Sequence, residues 1–398
     1  VTLLRAAVRE RSTPRAVAIC LYLAAFVAVG AASPYMPVYF ESLGLRLDAI
    51  GLIAALAALC ALFAAPTWGL LADQALGARL ALVGATAIAA LCALGVAVSA
   101  AAVVAAVIWI VYQLSFAGIA PVLDAYALDQ VGEDQHRYAR FRVWGSASFV
   151  VSTVAVGVLI QQTQIRALFI VLVGALVVAA ALAALLPPRT HAHVERSFSG
   201  LGVVLRARPL MTFIGAVLVV WSASTMVNGF YSIYLVSLNT PTSLVGSAWA
   251  LGAVVEVPMM IAFPMLARRF GVNRLLVVGA VCLLLRALVV VFATDPLIVV
   301  AAMALHGAGF ALMLVGGVTY VAARAPRGSA ATAQGVLAGA AFGLAQAIGP
   351  GVAGVVAGAS SIHAMFSFAA VVSAVGVVGL ALAVTLAARP VPMATNAS

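Results

Sequence analysis

Twelve apolar stretches, each long enough to cross a bilayer, follow one another through almost the whole chain. They run at 16–40, 49–71, 79–99, 101–127, 139–160, 166–186, 209–235, 243–266, 274–293, 296–321, 331–358 and 362–387. A membrane-crossing helix needs about 20 mostly apolar residues. A bilayer core offers the backbone no hydrogen-bonding partner, so such a chain must fold into helices that satisfy their own amides. The sequence therefore predicts an all-α, polytopic membrane protein with 12 transmembrane helices. Composition agrees, because 65% of residues are hydrophobic and 8% are charged. A soluble core of that composition could not keep its surface in water. Connections such as 294–296 are only a few residues long and force antiparallel neighbours.

The net charge is +10, and every basic residue is arginine. On a soluble chain that excess would suggest nucleic acid. Here the arginines follow the loops. With the N-terminus inside, eighteen of the twenty-one fall on the cytoplasmic side, Arg46 and Arg166 fall outside, and Arg286 lies within a span. This positive-inside pattern predicts both termini in the cytoplasm of a cell whose inner membrane holds the protein, and it argues against nucleic-acid binding. The Arg-rich start followed by an apolar run reads as a first span and not as a cleaved signal, because the run is long enough to cross and eleven more follow. Cys20, Cys60, Cys92 and Cys282 all lie in apolar segments and read as packing residues, with no disulfide set or metal site among them.

The widest polar interval divides the spans six and six. It predicts a cytoplasmic N-terminus at 1–15, a six-helix bundle at 16–186, a cytoplasmic linker at 187–208, a second six-helix bundle at 209–387 and a cytoplasmic tail at 388–398. His191 and His193 in the linker make too small a set for a metal site. Six plus six spans around a central linker are what a transporter built from two related halves needs. The loops after the second and eighth spans look alike. One runs from Gly69 through Asp73 to Gly77 and Arg79, the other from Pro264 through Arg268 and Arg269 to Gly271 and Arg274. In each, a glycine permits a tight reversal and an arginine follows. The first loop resembles the G-x-L-A-D-x-x-G-R/K-R/K signature of the major facilitator superfamily, with one extra residue before Gly77 and Gln74 where a basic residue is usual. The resemblance implies a gating loop, in which Asp73 latches onto a neighbouring helix end.

Charges left inside apolar stretches cost at least about 2.5–3.5 kcal/mol each and mark pathways more often than packing. Asp124, Arg142, Glu256, Arg286 and His306 are the ionisable residues within or at the inner ends of spans. In an antiparallel hairpin, residues equidistant from the turn share a depth. Asp124 and Arg142 each lie nine residues from Glu133, Glu256 and Arg286 fifteen from Gly271, and Arg286 and His306 ten from Pro296. At 1.5 Å per residue the last three sit about 22 Å from one turn and about 15 Å from the other, near the midplane of a ~30 Å core. The competing reading is that these pairs merely clip helices together.

The same residues carry a closer likeness. Pro121 to Ala127 with Asp124, then Tyr138 to Ser146 with Arg142, resemble the fourth and fifth helices of the lactose-permease and phenylpropionate-permease-like group of symporters. Arg269, Arg286 and His306 match that group's loop arginine, ninth-helix arginine and tenth-helix histidine, and Glu256-Val-Pro258 resembles its eighth-helix Glu-x-Pro. The likeness implies that Asp124 and Arg142 hold the solute, that Phe149 stands where a stacking tryptophan would, and that Glu256, Arg286 and His306 couple transport to protons. Three departures argue against lactose as solute and against an identical proton route. Gly309 replaces a proton-linked glutamate, Met303 replaces a lysine, and 209–235 has no acidic residue.

Tyr35, beside Pro34 and Pro37 in a bent first span, and Asn228, Tyr231 and Tyr234 in the seventh are further candidates to hydrogen-bond a solute. Gly335, Gly339 and Gly343 suggest a packing ridge in the eleventh span, and Gly349-Pro350-Gly351 suggests a break there. No Walker loop or metalloprotease motif appears. The expected function is secondary transport of a small organic solute (a sugar, a nucleoside or an aromatic carboxylate) with protons, by a monomer that needs no cofactor and performs no enzymatic chemistry. The alternatives are a proton-antiport exporter and, in another class, a membrane sensor or scaffold that transports nothing.

Overall fold

A computed structural model describes the backbone of residues 2–131, 135–187 and 201–386, and the side chains of 16–127, 143–187 and 201–386. Among these residues every regular element is helical. Eleven helical stretches are long and apolar enough to cross a membrane. One of them, Leu47–Val98, is 52 residues long, about 78 Å as a straight helix, which is more than twice a ~30 Å core. It is interrupted by a π-helical turn at Ala72–Leu76 and then by Gly77, whose φ is 79°. The second and third predicted spans meet there, in agreement with twelve helices. Gly271, between Thr242–Phe270 and Val272–Phe292, has φ 82° and ψ 146°, against 79° and 152° at Gly77. The two loops that look alike in sequence use one backbone solution.

Contacts divide the chain into two compact units. The first comprises Val1–Leu45, Leu59–Val194 and Pro241–Ala250, and the second Arg46–Ala58, Glu195–Thr240 and Leu251–Ser398. In the first, Ala81, Ala85, Ala89 and Ala93 form a buried stripe on Gly77–Val98, which packs on Leu168–Ala184 with Leu168, Leu172, Leu176, Ala179 and Ala183 buried. Small residues at helical spacing let two backbones approach closely, the usual device where lipid is as apolar as the core. In the second, Phe213, Trp221, Leu276, Leu283, Leu312 and Tyr320 belong to one buried cluster. The outward faces are equally apolar. Ile261, Phe292 and Leu386 are 75–80% exposed, a surface suited to hydrocarbon and unsuited to water.

Three spans are irregular. The first stops at Ala32, turns through Ser33, Pro34 and Tyr35, and restarts as Met36–Ser42, as its prolines predict. The fourth breaks between Ala102–Phe116 and Ile119–Val131. Pro121 has no N–H to give the Ala117 carbonyl and its ring crowds that turn. The eleventh departs from expectation. Helix runs unbroken through Gly349-Pro350-Gly351 within Ala345–Ala359, and the irregularity lies upstream, in a π-helical segment at Gly339–Leu344. The Thr225 hydroxyl donates to the Ala345 carbonyl at 2.8 Å, one residue before the Gln346 carbonyl from which Pro350 withholds an amide. Nor do the three glycines form a ridge, since a Cβ at Gly335 or Gly339 would meet nothing within 4 Å.

Gly271→Ala should therefore lower the melting temperature of the purified protein, because a positive φ costs an L-residue about 1–2 kcal/mol. Gly174→Ala, in open space within Leu168–Ala184, should raise it slightly, since a mid-helix glycine is about 0.5–1 kcal/mol worse than alanine. Thermal unfolding of both variants in one detergent reads the contrast.

Candidate functional site

In the second unit, polar side chains from three spans meet around Arg286. This residue is 1% exposed, on the helix Val272–Phe292. Its Nη1 donates to Asn228 Oδ1 at 2.7 Å and faces His306 Nδ1 at 3.2 Å. The Tyr231 ring lies 5.0 Å from the guanidinium carbon, a cation–π contact that partly replaces lost water. Asn228 and Tyr231 sit three apart on Arg208–Ser237 and so share a face. The Tyr231 hydroxyl donates to Val299 O at 2.7 Å, which holds the ring in place. Arginine has no acceptor atom and stays protonated. His306 Nδ1 must therefore accept, so the ring is neutral and carries its proton on Nε2. A second proton would set two donors and two positive charges face to face, so protonating His306 and retaining Arg286 there are mutually exclusive.

The predicted Glu256–Arg286 pair is corrected by this geometry. Arg286 makes no ion pair among the described residues. Glu256 does lie at the expected depth, since a Cβ on Gly307 would come within 3.1 Å of the Glu256 nitrogen. Hairpin arithmetic sets depth along the bundle but not rotation about the helix axis, and rotation decides which side chain Arg286 meets. Asn228, predicted to bind solute, accepts from Arg286 through Oδ1, and its solute role stays an expectation. Tyr231 and Tyr234 donate to the carbonyls of Val299 and Ala293.

Further along the same helix faces lie three rings. Phe310 is 5.9 Å from the His306 ring, 5.1 Å from Trp221 and 6.4 Å from Phe342. Trp221 and Phe342 also border a cleft with Val217, Met313, Val318 and Leu337. The sequence reading missed this aromatic group. Its signal was the helical repeat of Trp221 with Asn228 and of His306 with Phe310, which needs the partner helices to become meaningful.

In the first unit, the Tyr22 hydroxyl donates to Asp124 Oδ1. Asp124 stands on Ile119–Val131, just past the break in the fourth span. Trp68 wedges into that break. Its Nε1 donates to Leu114 O at 2.9 Å, and a Cβ on Gly118 would fall 2.2 Å from its ring. Arg142 has its backbone in Gln135–Gln162, and its side chain lies outside the described residues, as do His191 and His193. The Asp124–Arg142 pairing stays an expectation. Phe149 is half-buried. Tyr35 is fully buried and donates to Thr153 O at 2.5 Å. Its one donor serves a backbone carbonyl that the bent first span brings within reach, and its solute role stays an expectation. Gly77 and Gly271 supply the positive φ of the two similar loops, Asp73 lies in the π turn before Gly77, Arg79 is half-buried just after it, and Arg269 stacks on Phe270 at 5.3 Å. Among the described residues no cluster of three or more metal-ligating side chains occurs.

Arg286 Nε and Nη2 have no hydrogen-bond partner among the described residues, so the charge is held at a loss to stability. Arg286→Met should leave the melting temperature unchanged or raise it, because replacing a buried charge by an apolar group of similar volume is often neutral or stabilising. Asn228→Leu, which strips the guanidinium of an acceptor, should lower stability by about 1–3 kcal/mol. Parallel unfolding curves check both signs.

Comparison with known proteins agrees with this architecture. Residues 17–368 match the family described as MFS_1 like family. The chain is 30% identical over 280 residues to the maltose permease of Geobacillus stearothermophilus, covering 69% of this chain and 70% of that one. It is 26% identical over 310 residues to the probable 3-phenylpropionic acid transporter of Escherichia coli (strain K12), covering 76% and 81%. The crystal structure of the nucleoside transporter NupG superposes with a TM-score of 0.83 at 16% identity, over 94% of this chain and 99% of that chain, a likeness of fold. A bundle of apolar helices with a buried arginine at its centre and a match across most of its length thus belongs to the MFS_1 like family of the major facilitator superfamily, a family of multi-pass membrane transporters.

Proposed function

We propose that this protein is a proton-coupled symporter that carries a small organic solute by alternating access. The observation that carries the reading is Arg286, fully buried among helices whose outer faces are apolar. A charge at that depth is costly, and its protein partners are a neutral amide, a neutral imidazole and a ring. Such an arrangement is unfavourable for folding and useful for moving ions. A charge on His306 repels Arg286 at contact, so a proton arriving on His306 displaces the guanidinium. In this reading Glu256, at the same depth, is the carboxylate that receives the displaced guanidinium. Asp124, held by Tyr22, supports a solute contact in the first half, with Arg142 as its partner in this reading. Relatives named for maltose, 3-phenylpropionic acid and nucleosides support an organic solute of that size. The arginine bias of the loops supports an inner-membrane location with both termini cytoplasmic, and the linker at 187–208 supports two six-helix halves.

The test is proton movement into proteoliposomes on addition of maltose, uridine and aryl carboxylates in turn. A solute-dependent influx, lost in Arg142→Ala, is expected. Glu256→Gln should abolish uphill accumulation while sparing exchange of labelled for unlabelled solute. Accumulation unchanged in Glu256→Gln would remove Glu256 from the proton route, and solute flux with no proton movement would make the protein a facilitator, as Gly309 in place of the proton-linked glutamate would allow.

A further inference from the structure

The break in the fourth span redirects its backbone hydrogen bonds. In an unbroken helix the Gly118 amide would serve the Leu114 carbonyl. Here it turns to Ser115 O at 3.2 Å, and the Ala117 amide serves Gln113 O at 3.1 Å. The Leu114 carbonyl takes the indole of Trp68, whose Nε1 donates to it at 2.9 Å. A carbonyl freed inside a bilayer needs such a partner, and tryptophan brings one donor on a large flat ring. Three residues past Gly118, Pro121 has no amide for the Ala117 carbonyl. Two carbonyls of this turn thus lack the amides that a continuous ladder would give them. Side chains, and not the ladder, set the angle between Ala102–Phe116 and Ile119–Val131.

The indole is enclosed from two directions. A Cβ on Gly118 would fall 2.2 Å from it, and a Cβ on Gly84 would meet its far edge at 3.7 Å. The ring, half-buried and carried by Leu47–Leu71, therefore sits between the third span and the break. Any side chain at position 118 would force it aside. Six residues after Gly118, the Tyr22 hydroxyl ties Asp124 to the first span. The half-helix Ile119–Val131 is thus restrained by a side chain at its start and by another at its carboxylate, both within the first unit.

Resting on the transport reading for what Asp124 does, we propose that Trp68 is a positioning residue for Asp124. Its indole is the pin of a hinge at Ala117–Gly118, about which the Asp124 half of the fourth span tilts when the carboxylate changes partner. A solute or proton that takes Asp124 from Tyr22 is then felt at Trp68, and Trp68 in turn fixes where the carboxylate stands. A ring that merely plugged the break would answer to nothing done at Asp124, so reciprocity between the two residues separates the readings.

The purified full-length protein in nanodiscs, labelled with 5-fluorotryptophan at its five tryptophans, reads this by ¹⁹F NMR, with Trp68→Phe identifying the Trp68 resonance. Asp124→Leu removes the acceptor and Tyr22→Phe removes the donor. Each should move the Trp68 resonance, while Trp109, on the same span before the break, and Trp221, in the second unit, stay in place. Spin labels at Ala125→Cys and Val178→Cys, both exposed positions, read the tilt in protein freed of its four native cysteines. A tilt of about 20° at the break carries position 125, seven residues from Gly118, by about 3–4 Å. Asp124→Leu should shift the distance by that amount and keep one narrow peak. Trp68→Ala should lose the narrow peak, and Trp68→Phe, which keeps a ring in the break, should restore it. Gly118→Ala, which displaces the ring with its N–H intact, should act as Trp68→Ala does and serves if that variant does not fold. A Trp68 resonance unmoved by Asp124→Leu and Tyr22→Phe would overturn the proposal, and so would a distance that shifts and stays narrow without the indole. No solute enters either measurement. Proteoliposomes that move nothing would sink the transport reading and leave the hinge standing, and an unresponsive Trp68 would do the reverse.

Discussion

The desolvated charge of Arg286 is the constraint to which much of the second unit answers. Arg286 is 1% exposed, so its side chain is closed off from the surface. Its charge must therefore be met from inside, by groups carried on other spans. Asn228 and Tyr231 come from one helix and His306 from another, at 2.7, 5.0 and 3.2 Å. Each is held in turn, Tyr231 by Val299 and the tenth span by Gly307, whose missing side chain lets the eighth helix press close. None of these partners is an anion, so the environment lowers the cost of the charge without cancelling it. In a structural clip a carboxylate would close the pair.

Departures from regular helix lie near the residues that matter for function. The break at Ala117–Gly118, forced by Pro121 and filled by Trp68, precedes Asp124 by a turn or two. The turn at Ser33–Tyr35 lets Tyr35 reach Thr153. The π segment at Gly339–Leu344 carries Phe342 to the aromatic group. In a membrane each irregularity frees backbone polar groups that need a partner from elsewhere, as the indole of Trp68 and the hydroxyl of Thr225 show. Such features persist where packing around them compensates, and function supplies a reason to keep them.

Much of the architecture was legible from residue order alone. Apolar run length yields the spans, because a bilayer has a fixed thickness. Gly77 and Gly271 marked the two reversals, because a positive φ suits glycine and strains other residues. Arg286 and His306 were recognisable as neighbours because ten residues on each side of Pro296 return the chain to one depth. The same arithmetic misled at Glu256, and proline counting misled at Gly349-Pro350-Gly351, where the eleventh span continues as helix.

The sequence by itself set the apolar spans, the position of each charge along them and the family the chain joins, since those follow from length, polarity and spacing along one dimension. Only the tertiary structure decided which way each helix face turns. Rotation about a helix axis is set by packing against neighbours, and it gave Arg286 to Asn228 and His306 and brought Phe310 against the rings of His306, Trp221 and Phe342.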